Sequence, residues 1–165
     1  MAPLVPRKRH TLRKSETARI YSMLEEEIGD SAALFRGDRV EVVSTSAPWS
    51  IYLVDRRPLL MASEDWVFPT LRGLVERPFP NRRLVVDMGA VRFMVNGADV
   101  MRPGVVEISD DIRADRPLQV VDERHHKPLA VGIALADAPG IREQETGKCA
   151  RNIHHVGDDL WNLEI

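Results

Sequence analysis

Cysteine is almost missing from this 165-residue chain, with Cys149 the only one. An internal disulfide and a four-cysteine zinc site are both excluded. Aromatic residues make up only 5 %, and no run of about 18 apolar residues is long enough to span a bilayer. The opening MAPLVPRKRH places basic residues after a very short apolar piece, the reverse of a secretory signal, so a cytoplasmic protein is expected. No GxGxxG, GxSxG or HExxH occurs, and Gly97–Gly104 lacks the following Lys-Ser/Thr that a nucleotide phosphate loop needs. His125-His126 fall in a predicted hairpin turn. His154 and His155, adjacent on a predicted strand, point to opposite faces and cannot share one metal. No catalytic group, cofactor or metal site is nominated.

What is present supports a folded core: 44 % hydrophobic and 29 % charged residues describe a soluble globular protein. The net charge of −2 conceals an asymmetry. Residues 1–14 contain Arg7, Lys8, Arg9, Arg13 and Lys14 without one acid, so the arm carries +5 and the remainder −7. Such an arm can meet phosphates or serve as a solubilising tail.

Periodicity orders the rest. Lys8–Lys14 reads as extended. Ser15 is a candidate N-cap with Glu16 in the first turn. Thr17, Ile20, Tyr21, Leu24 and Ile28 then recur at helical spacing up to Gly29. Arg39–Ser44, Ser50–Asp55 and Leu59–Met61 read as strands, and Thr70 caps a short helix. Pro78 and Pro80 mark a boundary, giving modules 1–80 and 81–165. The second module reads as five or six short strands, Leu118–Val121, Leu129–Leu135 and Cys149–Val156 among them, and predicts a small β-barrel-like unit. The fold class is α+β.

The second module centres on Val85–Ile108. Its pattern is strand, short apolar helix at Ala90–Val95, Gly97 as helix C′, then Pro103-Gly104 as a type II turn with positive φ at Gly104. So short a helix must be buried by the rest of the fold. Arg82, Arg83, Arg92, Arg102, Lys148 and Arg151 all fall in this module. Arginine beside exposed amides suits phosphate, and the few aromatics favour backbone contacts over base stacking.

The segments VDMGAVRFMVNGADVMRPGVVE, VVDERHHKPLAVGIAL and GKCARNIHHVGDDLW, in that order, resemble the PUA domain from about Arg83 to Trp161. The upstream helix, paired strands and FPTLRGL resemble the pre-PUA module. Together they are similar to the malignant-T-cell-amplified-sequence family and its stand-alone archaeal relatives, the archaeal form because Arg102-Pro103-Gly104 runs into the next strand without an inserted loop. The resemblance implies a non-catalytic protein binding tRNA or ribosomal RNA, with the small ribosomal subunit or a translation factor as possible partner. It places RNA against Gly89, Ala90, Arg92, Gly97, Ala98, Met101, Arg102, Pro103 and Gly104, and against Lys148, Arg151, Asn152 and His154. Arg102→Glu and Arg151→Glu are then expected to weaken binding without harming the fold. The alternative is a scaffold whose partner is a protein, favoured by the acidic body and the apolar strands of the first module.

Overall fold

The computed structural model describes residues 4–164 and separates into two units. One runs to Phe79 and includes the residues from Asn162 onward. The other spans Pro80–Trp161.

The N-terminal unit is a five-stranded antiparallel sheet in the order β1-β2-β3-β4-β5, with β1 Pro6–Thr11, β2 Val40–Thr45, β3 Ser50–Val54, β4 Arg57–Ala62 and β5 Val67–Pro69. Of the stretch Lys8–Lys14 expected to be extended, Lys8–Thr11 form part of the paired edge strand β1, while Lys14 already opens the first helix. Helix α1, Lys14–Ile28, buries Ile20, Tyr21, Leu24 and Ile28 and ends at Gly29, whose φ of 58° suits glycine. Its N-cap is Arg13, not Ser15, because the Glu16 carboxylate accepts the Arg13 backbone N–H at 3.2 Å. Helix α2, Leu71–Glu76, starts as the sequence indicated: the Thr70 hydroxyl accepts from the Gly73 N–H at 3.2 Å. The β3–β4 turn is only Asp55-Arg56, with φ of 49° and 71°, the handedness that matches strand twist. Phe35, Phe68 and Phe79 meet edge to face in the core.

The C-terminal unit is a six-stranded, nearly closed barrel-like sheet in the order β7-β11-β10-β9-β6-β8. The strands are β6 Arg83–Val86, β7 Val100–Met101, β8 Val105–Ile108, β9 Pro117–Asp122, β10 Pro128–Ala134 and β11 Lys148–His155. Only β6–β9 is parallel. Leu84, Val86, Leu118, Val120, Ala130 and Cys149 fill its interior. Burial pushes the Cys149 thiol up to about 11. The short helix forms in two pieces. A 3-10 turn at Met88–Ala90 leads into α3, Val91–Met94, and the Asp87 carboxylate accepts the Ala90 N–H at 2.9 Å. Helix α4 spans Ala138–Glu143.

Two expectations about this stretch fail. Gly104 does not adopt positive φ, because Arg102–Gly104 forms a 3-10 turn. Gly104 is needed for space instead: a Cβ there would stand 3.3 Å from that of Ala90. The helix is not fully buried either, since Phe93 is 50 % exposed.

Candidate nucleic-acid interface

Folding brings the loop after β6 and the turn before β8 together around a cleft of about 410 Å³. Gly89, Ala90, Ala98, Met101, Pro103 and Gly104 line it, all six expected on the binding face. Val86, Asp87, Phe93, Met94, Asp99 and Val100 complete the walls. The lining is mostly apolar, and Met101 and Phe93 stand half-exposed at it. Arg92 lays its guanidinium 4.9 Å from the Phe93 ring centroid. An apolar cleft with a cation-backed aromatic at its rim has the chemistry of a stacking surface, a feature the low aromatic content of the sequence does not suggest. The signal for Phe93 was hidden: it lies inside an apolar run, and only the helix orientation shows it faces outward.

The glycine loop is tied to β11. The Asn152 amide donates to the carbonyls of Met94 and Ala98, each at 3.1 Å, and its backbone N–H donates to Asp99 Oδ1 at 3.0 Å. Lys148 Nζ lies 2.9 Å from Asp99 Oδ2. The Lys148 ammonium first, then the Asn152 N–H, hold the Asp99 carboxyl below the usual carboxylate range. Gly97 has φ of 86° and sits against the His155 ring. Asn152 and Gly97 therefore shape the face. Arg151, exposed on the same strand, and Arg92 supply its outward charge.

Three basic side chains serve the fold. His154 is only 1 % exposed, and its Nδ1 lies 2.9 Å from Asp158 Oδ2, so it cannot present a ring to a ligand as the resemblance implied. The register of β11 against β10 shifts between Asn152 and His154, the His154 ring turns inward, and Asp158 holds it there. Burial alone would raise the Asp158 carboxyl, yet the bond to His154 and the N–H groups of Trp161 and His155 keep it low. Arg102 spends two donors internally, Nε to the Ile141 carbonyl at 2.8 Å and Nη1 to that of Val105 at 3.1 Å. Substituting it removes both bonds, so the expectation that Arg102→Glu would spare the fold does not take account of its place in the structure. Arg82 is buried and donates to the Pro117 carbonyl at 3.1 Å. Among the described residues, no group of three or more His, Cys, Asp or Glu could hold a metal, and no helix is long and apolar enough to cross a membrane.

A short helix and glycine loop docked beside the last strand of a six-stranded barrel-like sheet define a PUA-domain protein. The PUA domain model matches residues 82–156, and a model described as a domain of unknown function, DUF1947, matches residues 8–77. An uncharacterized protein of Methanocaldococcus jannaschii is 40 % identical over 161 residues, covering 96 % of this chain and 98 % of that one. Malignant T-cell-amplified sequence 1-A of Xenopus laevis is 30 % identical over 131 residues, 77 % of this chain and 72 % of that protein. Translation machinery-associated protein 20 of Schizosaccharomyces pombe is 33 % identical over 99 residues, 58 % of this chain and 55 % of that one. The crystal structure of a hypothetical protein from Pyrococcus horikoshii superimposes with a TM-score of 0.86 at 34 % identity, covering 94 % of this chain and 98 % of that one. The chain belongs to the pre-PUA plus PUA family that includes the malignant-T-cell-amplified-sequence proteins and their archaeal relatives.

Proposed function

We propose that this protein is a non-catalytic RNA-binding factor of the translation apparatus that engages tRNA or ribosomal RNA through the cleft and β11 of its C-terminal unit. The small ribosomal subunit and translation-factor proteins are the partners this reading names. The observation that carries it is the cleft: an apolar floor for an unstacked base, with Arg92 and Arg151 placed outside it for phosphates. A relative named for the translation machinery supports the cellular context.

The test is fluorescence anisotropy with a labelled tRNA transcript and a ribosomal RNA hairpin. Phe93→Ala removes a stacking surface worth about 1–3 kcal/mol, or about 5- to 150-fold in Kd. Arg151→Glu weakens all sequences alike and flattens the salt dependence. Wild-type affinity in both variants, each with an unchanged circular-dichroism spectrum, would show that RNA does not use this face.

A further inference from the structure

The N-terminal unit carries a second concentration of positive charge. Strand β1 forms one edge of its sheet, hydrogen-bonded to β2 alone, and all six of its residues are exposed. At roughly 3.3 Å per residue the strand spreads Arg7, Lys8, Arg9 and His10 along a track of about 13 Å. Only Pro6 in it is apolar.

Beside this track one acid is buried. Glu41 on β2 has a side chain only 5 % exposed. Arg9 grips it at both oxygens, Nε to Oε2 at 2.7 Å and Nη2 to Oε1 at 3.2 Å. Arg39 approaches with Nε 3.5 Å from Oε1, and donates through Nη2 to the Thr11 hydroxyl at 3.1 Å. The Arg9 bond, opposed by burial and aided by the charges of Arg39 and Arg56, holds this carboxyl below its ordinary range. One negative charge is thus set between two guanidiniums, those of Arg9 and Arg39, and the local excess remains positive. Arg7 and Lys8, neither paired with an acid among the described residues, extend it.

Basic residues on an edge strand also deter strand-to-strand association. That role accounts for Arg7 and Lys8. It gives no reason to withdraw a carboxylate from water in order to fix Arg9 and Arg39. Glu41 takes the Nε–Nη2 fork of Arg9, so what the pair offers a phosphate is the remaining edge of Arg9 and the half-exposed guanidinium of Arg39, both held in place with rotamer freedom already spent. The near absence of apolar surface on β1 argues against a folded protein partner, whose interface core would be depleted of charge.

We infer that β1, with Arg39 drawn in beside it by Glu41, is a second binding face that takes the phosphodiester backbone of an RNA. It lies outside the cleft of the C-terminal unit and does not depend on that cleft's role. The experiment measures the affinity of the full chain for a labelled tRNA transcript across a salt series, comparing wild type, the double variant Arg7→Gln/Lys8→Gln, and Arg151→Glu. No side-chain bond of Arg7 or Lys8 would be lost, so the melting temperature of the double variant should equal that of wild type. Each lost phosphate contact lowers the slope of log K against log salt by about 0.7–0.9, so the double variant should lose about 1.4–1.8 in slope and bind about 25- to 60-fold more weakly at 0.1 M salt. Unchanged affinity and slope, with or without new self-association in sedimentation, would overturn the inference, and so would a loss of affinity with no change in slope. Displacement of the tRNA by polyglutamate as effectively as by unlabelled RNA of equal charge would overturn the assignment to RNA. If Arg151→Glu is silent while the double variant is impaired, the cleft reading fails and this one stands. The opposite pattern removes only this one.

Discussion

Gly97 offers the sharpest test of how the binding face is built. Its φ of 86° is open to glycine, while a residue with a Cβ pays roughly 1–2 kcal/mol in the left-handed region. A Cβ there would also stand 3.0 Å from His155 Nε2 and 3.1 Å from Cδ2. The ring cannot swing away freely, because its Nδ1 is 3.0 Å from the Val156 carbonyl oxygen. Gly97→Ala should therefore cost about 2 kcal/mol, the backbone contribution plus a displaced ring. If the C-terminal unit unfolds on its own, that cost lowers its melting temperature by about 8–16 °C. Asn tolerates this region better, so Gly97→Asn should cost less than alanine even though it makes the same Cβ contact. Gly97→Val combines branching with the same contact and should cost most, about 3–4 kcal/mol. Calorimetry on the four proteins ranks them directly. An alanine variant as stable as wild type would refute the argument, and so would an asparagine variant weaker than alanine, because those two share the Cβ contact and differ in their tolerance of positive φ.

Arg102→Ala should destabilise the protein by about 2–4 kcal/mol in urea unfolding, since the carbonyls of Ile141 and Val105 both lose a charged donor. Unchanged stability would return Arg102 to the set of free binding cations. The acid limb of stability should reflect Asp99, Asp122 and Asp158. All three are depressed in the fold, so their contribution is complete above the unfolded carboxylate pKa and is lost as pH falls through the lower folded values. For Asp122, burial pushes the carboxyl up but is outweighed by the N–H groups of His125, Lys127 and Arg124. Urea midpoints measured from pH 6 to pH 2 should fall only below about pH 4, less steeply in Asp99→Asn than in wild type. Equal slopes would mean that the Asp99 links to Lys148 and Asn152 add nothing.

Much of this protein was legible in one dimension because the relevant signals are local. Thr70 followed by an apolar turn is a cap whatever surrounds it, and the β-branched runs at Val40, Val105 and Leu118 announce strands by composition. The three ordered motifs of the second half pointed to the PUA domain, and the glycine loop and β11 were nominated together although some 50 residues separate them. Other features needed the third dimension because they depend on which face a side chain turns toward. Basic residues look alike as letters. In the fold, Arg82 and Arg102 serve the interior, Arg9 is bound to a buried acid, and Arg92 and Arg151 face outward. His154 and His155 are neighbours, yet one is buried against Asp158 and the other packs on Gly97. Phe93 lies in an apolar run that reads as core, and only the docking of α3 exposes it. Sequence determined the elements and the family, since propensity, capping and motif order act over a few residues. Tertiary structure decided which cations remain for a ligand, because pairing and burial are settled by residues far apart in the chain.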